Sequence, residues 1–426
     1  MRILWFVNDP LPAVLRRMGI EPAGTGYWIP NLLEEMRRTT GLPIETVTVT
    51  QGFKDDTFEE DGIRYTILGQ PKYQSFFNFR QIDLDRCRDL VRDRNPDIIH
   101  IHGTERFFGL LPARNLISTP CVISLQGLLG PYLPAFFGAL SPREIWHSHR
   151  LIELATRRGL LWRYRDFAIG ARQEREILSG ARVFMGRTDW DRAHVQSLNP
   201  GASYYHVGEI LRPQFAQARW SVRKCERHTV IFTNAGEPRR GTEVLLDAIQ
   251  IVRREFPGAR LLLAGSIGAR RGYDRFLLRR IREKGLPQAV EFLGYLDGDA
   301  MARELERAHV FAISSYIENS PNSLCEAMQV GLPCAASYAG GIPGLVDHGR
   351  TGFLFPCGDA PLLADSILRI FRDDDLAARL GQAARDEATY RHAPERVVAQ
   401  LLAAYNHAAG DGPYGGQFQA VLHAQL

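Results

Sequence analysis

Two glutamates, Glu318 and Glu326, carry the chemistry that this sequence indicates most clearly. An apolar run that predicts a strand precedes Glu318, and a helical pattern containing Glu326 follows it and ends at Gly331. Ser320 suits the N-cap of that helix and Pro321 its first position. Amides at a helix N-terminus suit a diphosphate, whereas a carboxylate suits the hydroxyls of a sugar. The pattern predicts a sugar-diphosphate site; two solvated glutamates beside a capped helix are the alternative.

Two adjacent arginines, Arg239 and Arg240, lie in the loop Gly236–Gly241, which follows the predicted strand Val230–Thr233. Cations at the end of a parallel strand suit the charge of a diphosphate, and arginine makes forked contacts with phosphate. We predict that Arg240 faces the diphosphate and that Arg239 shares this role. Two solvated loop arginines are the alternative.

Two histidines at alternate positions, His100 and His102, end a predicted strand in the first half of the chain. Both lie on one sheet face, because side chains alternate across a strand, and His102 lies at the carboxyl end. We predict a functional role for His102 and place Gln126, which ends the next strand, in the same site. A buried, hydrogen-bonded histidine is the alternative. No further ligands accompany the two histidines at metal-binding spacing, so no metal site is predicted.

A glycine-containing loop, Gly24, Thr25 and Gly26, precedes a predicted helix that starts at Trp28. Glycine lets the backbone approach a ligand closely and lets a helix begin beneath it. We predict a ligand contact here, with an ordinary tight turn as the alternative.

Composition narrows the class of protein. The 426 residues are 45% apolar and 23% charged, which suits two domains of about 200 residues each. A net charge of +4 is too small to indicate a nucleic-acid partner. The six cysteines show no CxxC pair, so we expect neither zinc nor a disulfide framework, and a reducing, cytoplasmic location. No stretch of about 18 apolar residues predicts a membrane span.

Short β-rich runs alternate with helical patterns, which indicates βαβ units and parallel sheets. The pattern weakens near Leu211–Arg227 and then restarts, so we predict an α/β fold of two doubly wound Rossmann-like domains, residues 1–212 and 213–392, facing each other across a cleft. A helix over 393–409 is expected to pack back on the first domain, and residues 410–426 to form a tail. The predicted strands are Ile3–Val7, Ile44–Thr50, Ile63–Leu68, Asp97–His102, Cys121–Leu125, Arg182–Met185, Tyr204–Val207, Thr229–Thr233, Arg260–Ala264, Val290–Leu293, Val310–Ser314, Cys334–Ala336 and Phe353–Phe355.

Arginines recur among aromatic and aliphatic side chains through residues 143–178. A basic amphipathic surface of this kind can rest on anionic lipid at the inner face of the cell membrane. A solvated helix face balanced by acidic residues is the alternative, and the sequence favours neither.

The stretch from Glu318 onward resembles the signature of family-4 retaining glycosyltransferases of GT-B fold. Seven residues separate Glu318 from Glu326, and the match continues through Gly331-Leu-Pro, Gly340-Gly341-Ile-Pro and Thr351-Gly-Phe-Leu. The segments Gly186–Asp191 and Glu209–Arg212 resemble a subgroup found among capsule and exopolysaccharide enzymes. The loop departs from the family in two ways, since Arg240 stands where a lysine is usual and the earlier arginine of the family is missing between Thr233 and Gly236.

The resemblance implies a role for each candidate residue. Glu326 would hold the ribose hydroxyls of the donor nucleotide, and Glu318 would contact the donor sugar near its 3- and 4-hydroxyls. The loop Gly24–Gly26 would lie under the donor phosphates or beside the acceptor, and His102 close to the donor sugar. The residues that would surround the sugar and diphosphate are Asn319, Ser320, Asn322, Ser323, Gly340 and Gly341.

The implied function is hexosyl transfer with retention, from a UDP-sugar or GDP-sugar to a saccharide acceptor, free or lipid-linked, in capsule, exopolysaccharide or lipopolysaccharide biosynthesis. Arg240 and the helix starts after Ser320 and Gly341 would neutralise the leaving diphosphate, so neither a metal nor a cofactor is expected. The alternatives are a nucleotide-sugar epimerase, a glucan synthase, or an inactive subunit that binds a nucleotide-sugar.

Overall fold

The computed structural model describes residues 2–22, 28–72, 76–148, 153, 159–265, 267 and 272–410. The chain forms two compact units. The first unit contains Met1–Pro131, Asp166–Ile210 and His392–Leu426, and the second contains Tyr132–Arg165 and Leu211–Arg391. Residues 132–165, which the sequence analysis placed in the N-terminal domain, thus belong to the second unit.

The first unit is built on an eight-stranded sheet with the strand order β3-β4-β2-β1-β5-β6-β7-β8. Strand β3 pairs antiparallel with β4, and the other pairs are parallel. The strands are β1 (Ile3–Val7), β2 (Ile44–Gln51), β3 (Asp56–Glu60), β4 (Ile63–Gln70), β5 (Ile98–His102), β6 (Cys121–Ser124), β7 (Val183–Gly186) and β8 (Ser203–His206).

Helices cover both faces of this sheet, so β1 and β5 are buried throughout. Ile3, Trp5 and Val7 share one core with the C-terminal helix, whereas Leu4 and Phe6 lie in the core on the other face. The helices of this unit are α1 (Pro12–Arg17), α2 (Trp28–Thr40), α3 (Gln81–Arg94), α4 (Leu110–Ala113), α5 (Leu129–Tyr132), α8 (Asp189–Leu198) and α16 (Pro394–Ala409); α7 (Leu160–Gly180) contributes residues to both units.

The second unit contains a six-stranded, fully parallel sheet with the order β11-β10-β9-β12-β13-β14. Its strands are β9 (Thr229–Thr233), β10 (Arg260–Ala264), β11 (Val290–Gly294), β12 (Val310–Ile313), β13 (Cys334–Ser337) and β14 (Phe353–Phe355). Its helices are α6 (Pro142–Ser148), α9 (Pro213–Gln217), α10 (Thr242–Val252), α11 (Gly272–Glu283), α12 (Gly298–Arg307), α13 (Asn322–Val330), α14 (Ala360–Arg372) and α15 (Asp374–Arg391).

Both sheets reverse their strand order next to their first strand. The reversal lies between β1 and β5 in the first unit and between β9 and β12 in the second. Ligands of doubly wound sheets bind beyond the carboxyl ends of the strands at such a point. We therefore expect functional residues in the segments that follow His102, Thr233 and Ile313.

The expected two doubly wound α/β domains are confirmed, and the predicted strands are present with ends that differ by at most two residues. Strand β3 was not predicted, because Phe58 is the only apolar residue within Asp56–Glu60. It is an edge strand, and its Phe58 ring stacks on Tyr65 of β4 at 5.1 Å. Charged residues are typical of exposed edges, where they discourage pairing with other chains.

Candidate functional site

Glu318 and Arg240 form a buried ion pair at the strand-order reversal of the second unit. Glu318 lies in the loop between β12 and α13 and is 4% exposed. Its Oε1 accepts a hydrogen bond from Ser315 Oγ at 2.9 Å and contacts Nη1 of Arg240, which ends the loop after β9. Two residues that the sequence analysis placed in one site are thus brought together by adjacent strands.

The two loops that carry this pair are joined through their backbones. The Tyr316 amide donates to the Arg239 carbonyl at 2.9 Å, and Ser314 Oγ donates to the Gly241 carbonyl at 2.8 Å. Tyr316 also donates from its hydroxyl to Glu243 at 3.1 Å, at the start of α10. The position of Arg240 relative to Glu318 is therefore fixed by the chain itself.

Gly241 permits this close approach of the two loops. Its φ is +65°, and a Cβ added there would lie 2.2 Å from the Ser314 carbonyl oxygen. We predict that Gly241→Ala lowers the midpoint of thermal unfolding by on the order of 5 °C, through left-handed strain and this clash. Gly285→Ala is the matched control, since Gly285 has φ +67° and an added Cβ would meet nothing within 4 Å. Equal losses in the two variants would show that the contact between the loops contributes nothing.

The two arginines of the loop have different partners. Arg239 Nε donates to Glu237 at 3.1 Å, and the Arg239 guanidinium lies 5.4 Å from the Tyr132 ring. Although burial acts to raise it, the pKa of Glu237 lies below its ordinary value because Arg239, Arg163 and Arg240 are close. Burial, and then the charge of Arg239, lowers the pKa of Arg240 to about 9, so its guanidinium remains charged at pH 7.

Arg240 retains a donor that the described part of the protein does not use. Its Nε is buried and has no hydrogen-bond partner among the described residues. A buried guanidinium with an unsatisfied N–H is costly unless a ligand or water completes it. The loop is thus suited to bind an anion.

Gly340 and Gly341 lie directly against the backbone of Glu318. The Gly341 amide donates to the Glu318 carbonyl at 2.9 Å, and a Cβ on Gly340 would lie 1.9 Å from that oxygen. The helix expected after Gly341 is only the single 3₁₀ turn Ile342–Gly344. A turn of three residues has little of the dipole of a longer helix, so this segment supplies less positive potential than the expected helix would.

The helix that carries Glu326 begins one residue later than expected. Pro321 is the N-cap of α13, with no side-chain capping bond, and Asn322 is the first helical residue. The prediction of Ser320 as the N-cap is therefore wrong. Ser320 and Asn319 are buried in the preceding loop, and Ser323 follows in the first turn. The first turn still provides N-terminal amides suited to an anion.

Glu326, in the second turn of α13, is 7% exposed. Its Oε1 accepts hydrogen bonds from Arg212 Nε at 3.0 Å and Nη2 at 2.9 Å. Arg212 belongs to the Glu209–Arg212 segment of the sequence analysis but was not predicted as a site residue. The sequence analysis did single out the segment that contains Arg212. It could not predict that Arg212 pairs with Glu326, because residues so distant in the chain show no spacing pattern.

A cavity of about 360 Å³ adjoins the loop Gly236–Gly241 within the second unit. Gly236 and Glu237 line it, and Arg163 Nη2 donates to Glu237 Oε1 at 2.8 Å across its wall. Ser148 and Tyr273 lie on other sides. Polar and apolar surface contribute about equally to the lining.

His102, at the carboxyl end of β5 in the first unit, is buried, and neither ring nitrogen has a partner among the described residues. Burial, and then the charge of Arg187, lowers its pKa to about 3, so the ring is neutral at pH 7. Its centroid lies 4.5 Å from that of Trp5 and 5.6 Å from that of Trp28. A neutral imidazole can donate one hydrogen bond and accept one.

His100 is a buried, hydrogen-bonded histidine, which was the alternative prediction for these two residues. Its Nδ1 lies 2.8 Å from the Tyr405 hydroxyl, and its Nε2 lies 2.6 Å from Ser124 Oγ. Trp5 Nε1 donates to the same Tyr405 hydroxyl at 3.0 Å, which ties α16 to the sheet. Gln126 is half-buried just after β6, as its strand-end position predicts. The predicted loop residues Gly24, Thr25 and Gly26 lie outside the described residues.

A polar cluster beyond β1 and β5 was not predicted. Asn8 Nδ2 donates to Glu105 Oε2 at 2.7 Å, and desolvation raises the pKa of Glu105 to about 8. Glu174 accepts from Thr104 Oγ1 at 2.8 Å and from the amides of α5, and burial raises its pKa to about 7. Each member is separated from its partner by tens of residues, so spacing alone could not reveal the cluster.

In the part of the chain that the structure describes, no helix is long and apolar enough to cross a membrane.

Two family models match the chain, one in each half. Residues 23–207 match the glycosyl transferase 4-like domain, and residues 215–387 match the glycosyl transferases group 1 family. The second match contains the Glu318–Arg240 pair and Glu326, and the first contains His102.

Curated relatives of this chain are also named as transferases. Sulfoquinovosyl transferase of Arabidopsis thaliana is 27% identical over 82% of this chain and 64% of its own length. The amylovoran biosynthesis glycosyltransferase AmsK of Erwinia amylovora is 33% identical over 29% of this chain and 32% of its own. The chain thus spans less than two thirds of the length of either relative.

Solved structures share the fold over nearly the whole chain. Sucrose-phosphate synthase of Thermosynechococcus elongatus superposes with a TM-score of 0.73 at 19% identity, over 96% of this chain and 98% of its own. HepE of Anabaena, solved in complex with UDP and glucose, gives a TM-score of 0.66 at 17% identity, over 96% and 100%. The chain therefore contains a glycosyl transferase 4-like domain followed by a glycosyl transferases group 1 domain, and its two α/β units have the GT-B fold.

Proposed function

We propose that this protein is a retaining, metal-independent hexosyltransferase that moves a sugar from a UDP-sugar or GDP-sugar to a saccharide acceptor. The observation that carries the proposal is the buried Glu318–Arg240 pair beside the start of α13, at the strand-order reversal of the second unit. This arrangement places a cation, helix amides and a carboxylate within one loop cluster. Together these three features suit a sugar diphosphate.

Each group has a distinct task in transfer. Arg240 and the N-terminus of α13 stabilise the charge that develops on the departing diphosphate, and Arg239 adds positive charge. Glu318 binds the donor sugar, and Glu326 binds the ribose. The leaving phosphate accepts the acceptor proton while attack occurs on the same face, so the protein supplies orientation and electrostatics rather than a base.

The donor half of the proposal is tested by thermal unfolding with UDP-, GDP- and ADP-sugars in the presence of EDTA. A donor at 100 times its Kd should stabilise the fold by about 2.7 kcal/mol. Stabilisation that disappears with EDTA would contradict metal independence, and the absence of any stabilising donor would contradict the nucleotide site. The anomeric configuration of the product, read by NMR, tests retention.

The alternatives differ in what they require. An epimerase converts its nucleotide-sugar without an acceptor, and a glucan synthase extends a glucan but no other saccharide. An inactive subunit would bind the donor and transfer nothing. Turnover measured with and without added saccharides therefore separates all three from the proposed transferase.

We further propose that the protein works in the cytoplasm at the inner face of the membrane, on a saccharide destined for capsule, exopolysaccharide or lipopolysaccharide. The described residues of the segment 143–178, which are 143–148, 153 and 159–178, support this proposal, since they join arginines to the exposed side chains Trp146, Leu161 and Tyr164. The other residues of the segment lie outside the described part of the chain. An exposed basic surface with aromatic side chains is suited to anionic lipid. A lipid-linked acceptor would be presented at such a surface.

The membrane proposal predicts that Trp146→Ala with Tyr164→Ala weakens binding to phosphatidylglycerol vesicles by about tenfold, because each aromatic side chain buries apolar surface in the interface. Cosedimentation measures the effect, and phosphatidylcholine vesicles should bind neither protein. Tyr390→Ala is the control, because Tyr390 is as exposed as Trp146, at 61%, and lies outside the segment. Unchanged vesicle binding by the double variant would contradict the membrane proposal and support the alternative, a solvated helix face.

A further inference from the structure

Arg212 holds the Glu326 carboxylate from a segment outside the proposed donor site. It is the N-cap residue of α9 and lies 114 positions before Glu326 in the chain. Its Nε and Nη2 donate to Glu326 Oε1 at 3.0 and 2.9 Å, and the side chains of Arg212 and Glu326 are 16% and 9% exposed. Two donors of one rigid guanidinium fix the position of that carboxylate oxygen.

The guanidinium is itself fixed by packing. Its central carbon lies 4.6 Å from the centroid of the Phe215 ring, and Phe215 is completely buried. Helix α9, which contains Phe215, packs against α13 and α12. Arg212 is therefore held by its own helix, by an aromatic face and by Glu326. A lysine could not reproduce the planar stacking and forked donation.

Electrostatics explains why a ribose-binding glutamate needs such a partner. A nucleoside diphosphate brings negative charge, and an uncompensated carboxylate nearby would repel it. The Arg212 charge offsets that of Glu326. A carboxylate offers about four lone-pair positions, so the two hydrogen bonds from Arg212 do not by themselves fill it.

We propose that Arg212 is a positioning residue that orients Glu326 toward the ribose hydroxyls and thereby gives the site its preference for ribonucleotides over 2′-deoxyribonucleotides. The inference rests on the proposed function, because it needs Glu326 to contact the ribose. The rival role is a plug, in which Arg212 occupies the place of the ribose and must be displaced.

The test is calorimetric titration of the full chain with UDP and 2′-deoxy-UDP, and in parallel with GDP and 2′-deoxy-GDP. The wild-type protein should prefer one ribonucleotide over its deoxy form by about tenfold, the effect of one hydrogen bond to a charged group. Arg212→Gln should weaken that ribonucleotide about tenfold and bring the preference close to one. Inorganic pyrophosphate should bind the variant as it binds the wild type. Arg372→Gln, which breaks a pair with Glu255 on the surface of the same unit, should change nothing.

Glu326→Gln separates failure of the inference from failure of the proposed site. If this variant keeps the wild-type preference, Glu326 does not contact the ribose, and the inference falls with that role. If it loses the preference while Arg212→Gln keeps it, only the inference is overturned. Tighter nucleotide binding by Arg212→Gln would identify a plug. Should Arg212→Gln fail to fold, Arg212→Lys decides: it should also lose the preference, and a retained preference would mean that charge alone suffices.

Discussion

Glu318→Gln should reduce sugar transfer by about 10² to 10³ while nucleotide affinity stays the same or rises. The substitution keeps the size of the side chain and an oxygen for the Ser315 hydroxyl, which donates at 2.9 Å. It removes the charge that Arg240 now neutralises in a buried pair. The freed guanidinium charge then acts fully on the diphosphate, whereas the sugar loses a strong acceptor that positions it for transfer.

Two measurements check this expectation: kcat and KM for transfer, and Kd for the free nucleoside diphosphate. Glu255→Gln is a matched control, since Glu255 pairs with Arg372 on the surface, where both side chains are more than 40% exposed. If affinity and turnover fall together, Glu318 acts by holding the shape of the loop Gly236–Gly241. Unchanged turnover would remove Glu318 from the site.

The sequence predicted the sheets well because strands buried on both faces are continuous apolar runs. Three of the strands predicted in the second half, Thr229–Thr233, Arg260–Ala264 and Phe353–Phe355, have the bounds observed. Charged β3 has no such signature, and only its pairing with β4 makes it a strand. Likewise, no local pattern indicates that residues 132–165 join the second unit, because contacts rather than composition decide unit membership.

The site was predictable where its residues are close in sequence. Glu318, Asn319 and Ser320 form one loop, and Arg240 ends the loop of an adjacent strand, so a parallel-sheet pattern is enough to place them together. Arg212 and the Asn8–Glu105 pair were missed because their partners are distant in sequence. The N-cap was misplaced by one residue because both Ser-Pro and Pro-Asn can begin a helix, and local propensity does not choose between them.

Arg240→Gln should weaken nucleoside diphosphate binding by about 30-fold and abolish measurable transfer. The variant loses the cation that faces the diphosphate and leaves Glu318, 4% exposed, without its counter-charge. Removing one partner of a buried pair typically lowers the free energy of unfolding by about 3–5 kcal/mol, because the remaining charge is uncompensated. The uncompensated Glu318 would then repel the same phosphates that Arg240 attracts. Calorimetry with UDP and GDP, and transfer assays, measure the two losses.

Arg240→Lys tests what the departure from the family lysine means. A lysine keeps the charge, so nucleotide affinity should return to within a few-fold of the wild type. It cannot make forked contacts, and it has no counterpart of the buried Nε that has no partner among the described residues. If that Nε donates to the leaving diphosphate, kcat should stay well below wild type while Kd recovers. The double variant Glu318→Gln, Arg240→Gln should then bind more tightly than Arg240→Gln alone, because it no longer buries an unpaired carboxylate. Additive losses of affinity would instead mean that the two side chains act independently. The buried pair would then have no role in binding the donor.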